Sequence, residues 1–590
     1  MIRSLSLFLV CLLGLLRPAL AVDTLRPEQL QPGMKGYGLS VFQGTKPERF
    51  EVEIIGVLKN VMPKQDMILI RLSGANLEKH KVIAGMSGSP IYINDKLIGA
   101  LAYGWSFENE PLAGVTPIHN MLAQMTRPFV ARATVMASVS LGRSSSAPAM
   151  FAPPNGPFSR DADDFDTPHP LLTPLSFGGF SPRVIERFSS RFTGFGMMAV
   201  VAGGAGSGAL PRRSGDIEPG GSIGVELMRG DLNMTAVGTA TYVEKNRVLA
   251  FGHPFFEGGS VQAPAVLAEV HTIMSSLERS FKMATPVAEI GAMVGDWQSC
   301  IVADTKTQAR MIPLTIDAVN HDTGQAEHYD VEIMDNQTFT AQLVIVGVAQ
   351  AVSAASGSSQ DTTAQISVSA ELGPTKSGGA PRTVSVTDTF FNAGGGLLAV
   401  EALMPLVAMV NTPYGSPTVK RLAVTVDATL SRQTAEIKRV YFSKSEVERG
   451  ELVPLAVVLK PFGQPEVTKT IPIQVPAASD AMRFLTVTVV AGDAAPIDAA
   501  SPDSLDDYLD VIQKGHHNTD LVALMPTSSQ GMQYRGRLLK KLPASVVGIL
   551  EDSSSGSANM SAAADLQQLV EPTDWVLSGQ GTVRVPIRQE

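Results

Sequence analysis

Cysteine is nearly missing from this 590-residue chain: only Cys11 and Cys300 occur, too few for a disulfide framework. Aromatic residues make up 6%, and the small and β-branched residues that dominate instead favour strands over long helices. Charge is also scarce, at 17% against the usual quarter. It leans acidic, with 47 Lys and Arg against 56 Asp and Glu for a net charge of −9. With no basic run anywhere, that balance excludes a nucleic-acid binder. Past the N-terminus no apolar run reaches the ~18 residues of a membrane-spanning helix, and a collagenous repeat is absent too. What is present is a folded composition. Apolar residues at 44% can bury more than one core, and roughly 150 residues per domain gives about four units. The 53 Gly and 39 Pro imply many turns.

The first 21 residues read as an address. Arg3 gives a positive start, Leu5 to Leu16 an apolar stretch, and Ala19-Leu20-Ala21 an A-x-A cleavage site. The stretch is short for a bilayer; an uncleaved anchor is its other reading. Cys11 lies inside it without a lipoprotein-like sequence before it. Cleavage removes Arg3 and Arg17 and no acid, moving the net charge from −9 to −11, and leaves Cys300 as the one thiol. The expectation is an exported protein of the bacterial periplasm or cell surface, stabilised by its cores and not by disulfides.

The chain divides by composition. Residues 22–137 are expected to form a compact β unit, with strands at Phe50 to Leu58, Met67 to Leu72, Pro90 to Asn94 and Leu97 to Tyr103, and a hairpin turn at Asn94-Asp95-Lys96. Residues 138–194, with Ser144-Ser-Ser-Ala-Pro and the acidic Asp161-Ala-Asp-Asp-Phe-Asp, read as a linker. Residues 195–350 are a second β unit, including Ser222 to Leu227, Arg247 to His253 and Ala288 to Val294. Gly203-Gly-Ala-Gly-Ser-Gly lacks the Gly-Lys-Ser/Thr of a phosphate loop and reads as a connector. A β-sandwich-like domain is expected over 351–480, with a helix from Gly396 to Val410 and turns at Arg449-Gly450 and Phe462-Gly-Gln-Pro465. A mixed α/β segment, with a helix from Ser504 to Lys514, completes 481–590. The fold class is therefore mainly β.

The most specific string is Gly85-Met86-Ser87-Gly88-Ser89-Pro90-Ile91. A serine between glycines on a sharp turn before a strand is how chymotrypsin-like peptidases present a nucleophile, because glycine tolerates the backbone that projects Oγ outward. The same turn aims the N–H groups of Gly85 and Ser87 at a bound carbonyl oxygen, forming an oxyanion hole. Met86 stands where such enzymes often carry Asp. The plainer alternative is a tight small-residue turn between buried strands.

Residues 44–122 resemble the peptidase domain of the SpoIVB family, the sporulation stage IV B serine peptidases. The resemblance runs through Gly44-Thr-Lys-Pro-Glu-Arg-Phe-Glu-Val-Glu-Ile, Val82-Ile-Ala-Gly-Met-Ser-Gly-Ser-Pro-Ile, Lys96-Leu-Ile-Gly-Ala-Leu and Ala113-Gly-Val-Thr-Pro-Ile. It implies a trypsin-like double β-barrel with Ser87 as nucleophile and Ser89 as a support for the turn. Among nine His, His80 lies in a charged turn, and His516-His517 lacks further metal ligands at recognisable spacing. His253 ends the apolar strand Val248-Leu-Ala-Phe-Gly-His, and the family places its catalytic His in a similar Gly-His. The resemblance therefore implies His253 as general base.

Three departures follow. The family has its His half before its Ser half, so here the barrel would be assembled from two segments in inverted order; a triad depends on arrangement and not on chain order. The family's acid lies upstream of its Ser, where Leu72-Ser-Gly-Ala-Asn76 has none, leaving Asn76, Asp66, Asp296 and Asp304 open as the third member. No PDZ-like insertion follows Ser222. The expected activity is an exported serine endopeptidase acting on protein or peptide, without metal or cofactor, without nucleic acid and without a stable membrane span after leader removal; oligomeric state is left open. The competing readings are a catalytically inactive envelope scaffold that binds protein or glycan, and an adhesion module at 422–475. A structure with Ser87 Oγ far from every imidazole, both packed in core, counts against the enzyme.

Overall fold

The computed structural model describes residues 23–588 except 106–109, 129–167, 204–205, 207–209, 214, 357–360, 376–378, 393–397, 413, 416, 478–482, 498–501, 503, 535–536 and 540–559. The leader and residues 138–167 of the expected linker lie outside the described residues. The protein is mainly β.

Six strands close the first barrel: β1 (Lys35–Ser40), β2 (Glu48–Met62), β3 (Gln65–Ser73), β4 (Pro90–Ile93), β5 (Lys96–Gly104) and β6 (Leu112–Pro117). The alternation of β2 is visible in its burial, with Phe50, Val52 and Ile54 inside and Glu51 outside. The turn joining β4 to β5 carries Asn94 and Asp95 at φ of 50° and 58°, the left-handed pair that a two-residue hairpin needs. Strands pair in the circular order β1-β2-β3-β6-β5-β4, and β4 returns to β1.

A second set of six closes in the same way: β7 (Ser222–Gly230), β8 (Asn233–Glu244), β9 (Arg247–Ala250), β10 (Ala263–Met274), β11 (Phe281–Trp297) and β12 (Cys300–Asp304). Its circular order is β7-β8-β9-β12-β11-β10. Numbered within each barrel, both run 1-2-3-6-5-4, so the chain folds one topology twice. The barrels share a core between them, in which Leu97, Ala100 and Met121 of the first meet Leu249, Val302 and Cys300 of the second. Burial pushes the Cys300 thiol up to about 12, keeping it an inert apolar filler.

The second barrel opens at its rim into a larger sheet. Strand Ala326–Met334 pairs with β7, and Met311–Asn320, Val419–Thr429, Thr362–Leu372 and Arg382–Asn392 follow in turn. Thr173–Gly178 and Met197–Val201 extend it beyond β8. Further on, a four-stranded and a five-stranded sheet, built from residues 434–586, face each other over a core that includes Leu455, Ile473, Leu485 and Val487. The sandwich expected over 351–480 thus starts at Thr434. The strands at 362–429 belong to the barrel's sheet instead, since an alternating strand has the same pattern in either setting. Strands from the expected mixed segment 481–590 complete the sandwich, and its helix forms at Leu505–Gln513 behind an Ser504 cap.

The helical expectations fare unevenly. Gly396 to Val410 contains two helices, Leu398–Ala402 and Met404–Val410, broken because Pro405 cannot donate back along a continuous helix. Residues 168–194 of the expected linker instead hold strands and the helix Pro182–Thr193. Thr340–Ser356 is a helix, most of it inside the 195–350 stretch expected to be a β unit. It is buried on nearly every side, so it has no polar face to give a 3.6-residue period. Among the described residues, no helix is long and apolar enough to cross a membrane.

Candidate active site

Ser87 lies in the connection between the third and fourth strands of the first barrel, and His253 in the connection between the third and fourth strands of the second. Equivalent loops of twin barrels therefore supply the two residues.

The Ser87 turn is anchored from below by Ile83 and Met86, both fully buried in the first barrel's core. That apolar duty explains a methionine where an acid was the alternative. Met86 N–H donates to Ile83 O at 3.0 Å, Ser89 N–H to Met86 O at 2.9 Å, and Gly88 N–H to Leu101 O at 2.7 Å. Among the described residues, the N–H groups of Gly85 and Ser87 have no acceptor, and these are the two named for the oxyanion hole.

The carbonyls of the turn are held by the other barrel. Thr239 of β8 donates its N–H to Ser87 O at 2.8 Å and its Oγ1 proton to Gly85 O at 2.9 Å, while Thr241 Oγ1 donates to Gly88 O at 2.7 Å. Gly88 has φ of 98°, and a Cβ there would stand 1.9 Å from Thr239 O and 2.5 Å from Phe251 N. Only glycine lets the turn approach the His253 loop this closely. The contact is reciprocal: Gly252 packs on Ala100 and Ala102 of β5, and Thr116 Oγ1 of β6 donates to Gly252 O at 2.6 Å.

His253 is 1% exposed and Ser87 0%. The imidazole Nδ1 lies 2.7 Å from Pro254 O. A carbonyl only accepts, so Nδ1 carries the proton and Nε2 the lone pair, the tautomer a general base needs. Burial drives the imidazole down to about 4, so it is neutral at pH 7. Among the described residues, neither Ser87 Oγ nor His253 Nε2 has a hydrogen-bond partner; the two are not bonded to each other. Two buried polar atoms left bare cost about 1–3 kcal/mol each.

None of the four residues left open as third member bonds the ring. Asp296 accepts from the N–H groups of Phe255, Phe256 and Gly258 at 2.7, 2.8 and 2.8 Å, shaping the loop after His253. Burial outweighs those bonds and raises its carboxyl to about 6. Asp66 pairs with Lys59 at 2.7 Å, and Asp304 with Asn246 at 2.8 Å. Asn76 is exposed. His516 bonds Gln568, and the described residues contain no cluster able to hold a metal ion.

Thr239, Thr241, Thr116 and Lys282 were not singled out by sequence. Lys282 had a signal: Lys282, Ala284, Pro286 and Ala288 occupy the inward parity of β11, and a charged residue at an inward position is unusual.

Twin barrels with a serine turn and a histidine loop meeting at their seam define a two-barrel β protein. Residues 26–122 match the family described as SpoIVB peptidase S55, a similarity of this segment that supports a SpoIVB-type peptidase domain and, at the level of the family, a SpoIVB-like serine peptidase. The match takes in the whole first barrel with Ser87 and ends before His253. No curated protein and no solved structure matches the chain.

Proposed function

We propose that the chain is an exported serine endopeptidase built as a trypsin-like double barrel with its halves in inverted order. Ser87 is the nucleophile, His253 the general base, and the N–H groups of Gly85 and Ser87 the oxyanion donors. The observation that carries this reading is the common position of Ser87 and His253 in equivalent loops that pack together at one seam. His253 Nε2 takes the Ser87 proton as Oγ attacks a peptide carbonyl, then returns a proton to the leaving amine. The Pro254 carbonyl holds the imidazole where a carboxylate does in a full triad. With Ser87 sealed, substrate enters only when the seam opens. Export rests on the N-terminal 21 residues.

A second reading is supported by the burial itself. A sealed, unbonded Ser87 and His253 suit a catalytically inactive scaffold that uses the glycine turn as a lock between barrels. Fluorophosphonate labelling of purified protein separates the two. The peptidase labels, and Ser87→Ala and His253→Ala lose labelling while circular dichroism stays native. A folded wild type that never labels sinks the enzyme. Labelling lost only in Ser87→Ala removes His253 as base.

A further inference from the structure

The Ser87 turn is braced from behind by one buried amine. Lys282, on β11, is fully buried, and its Nζ donates to Ser40 Oγ at 3.0 Å and to Thr239 Oγ1 at 3.2 Å. Among the described residues no carboxylate pairs with it, and burial alone lowers the amine to about 7. Its stem fills the space beside Gly85, where a Cβ would stand 3.1 Å from Lys282 Cγ and Cδ.

Thr239 connects this amine to the turn. A hydroxyl has one proton, and Thr239 Oγ1 gives its proton to Gly85 O. Toward Lys282 it therefore accepts. The polarity of the relay is fixed: Lys282 Nζ donates to Thr239 Oγ1, which donates to the Gly85 carbonyl. A neutral amine still has two hydrogens, enough for both hydroxyls, so the relay survives loss of the ammonium charge. Filling the space needs no nitrogen. A methionine there would avoid the cost of burying an amine without an acid, so packing alone does not account for lysine.

We propose that Lys282 is a positioning residue of the Ser87 site: through Thr239 it holds the Gly85 carbonyl toward the second barrel, and so fixes the Gly85–Met86 peptide that lies between the Gly85 and Ser87 N–H groups. The inference rests on the peptidase reading. It assigns Lys282 no contact with substrate and no proton transfer in the reaction.

The test compares fluorophosphonate labelling rates of wild type, Lys282→Met, Thr239→Val and Thr239→Ser, each checked for fold by circular dichroism. Losing one oxyanion donor slows comparable enzymes by about 10²–10³, and a misaimed pair is expected to slow labelling at least ~10-fold. Lys282→Met and Thr239→Val should show that loss. Thr239→Ser keeps the hydroxyl and should return to within a few-fold of wild type, a rescue that a purely packing role for Thr239 does not give. Should Lys282→Met fail to fold, the two Thr239 variants decide. A wild-type rate in either folded Lys282→Met or folded Thr239→Val overturns the positioning role and leaves the peptidase standing. A folded wild type that does not label overturns both.

Discussion

In the first barrel the connection between the third and fourth strands relies on glycine, with Gly85 and Gly88 at φ of 97° and 98°. In the second barrel the same connection forces Phe251 to φ of 70° beside Gly252 at 71°. A bulky residue in that region stores about 1–3 kcal/mol of strain. Their fastenings differ as well. The carbonyls of Gly85, Ser87 and Gly88 are all bonded from the other barrel, whereas the loop after His253 is fixed by Asp296 of its own barrel, with Thr116 reaching across to Gly252. The histidine loop is thus preformed within its own barrel, and the serine turn is completed by docking.

The glycines give the sharpest way to break this comparison. Gly88→Ala puts a Cβ within 1.9 Å of a backbone oxygen across the seam and should destabilise by more than ~3 kcal/mol. Gly252→Ala meets Ala100 Cβ at 2.9 Å and should lose only about 1–3 kcal/mol. Equal losses in thermal unfolding would remove the asymmetry.

Titration sharpens the picture of the second barrel next. His253 falls to about 4 from an ordinary 6.5, so between those values the unfolded chain binds a proton that the native state refuses. Stability contributed by this group is therefore lost as pH falls from about 6.5 towards 4. Lys282, at about 7 against 10.5, adds stability as pH rises from about 7 to 10.5 by the same rule. Asp296, raised to about 6, slopes the opposite way over the acid window, so the slopes are read as differences in denaturant unfolding: wild type minus His253→Phe should give the acid one and wild type minus Lys282→Met the alkaline one. A difference that lacks its slope would assign the titration elsewhere.

The smallest effects come from single cross-seam bonds. Thr241→Val and Thr116→Val each remove one neutral donor from a buried carbonyl and should destabilise by about 1–3 kcal/mol. Thr241→Val should in addition slow fluorophosphonate labelling, and Thr116→Val should leave it nearly unchanged. The opposite order in labelling rates would make the histidine loop the dependent partner.

Much of this was readable in the residues, and the gaps have physical causes. The β2 alternation, the Asn94-Asp95 hairpin and the Gly85–Pro90 turn were legible because each is set by local chemistry. The helix Pro182–Thr193 was legible too, from Ser181 followed by Pro at the first helical position, but the low-complexity residues before it drew that stretch into a linker. Thr340–Ser356 was not, since Leu343-Val-Ile-Val has the β-branched content of a buried strand and no polar face. Thr239 and Thr241 were out of reach for a different reason. An inward threonine on a strand is ordinary until the opposite barrel is in place, and no spacing links it to a turn some 150 residues earlier.

That separation has a consequence in time. The partners of Gly85 and Gly88 lie 154 and 153 residues further along the chain. At roughly 5–20 residues per second of synthesis, the first barrel, whose last strand ends at Pro117, is complete about 6–25 seconds before Thr239 and Thr241 exist. Throughout that interval its Gly85, Ser87 and Gly88 carbonyls lack those partners, and the turn is held only by the bonds and packing of its own barrel. Contacts this distant in sequence also form late during refolding. A nascent or half-folded chain would therefore carry an incompletely fastened serine turn, a latency built into the order in which the chain is made.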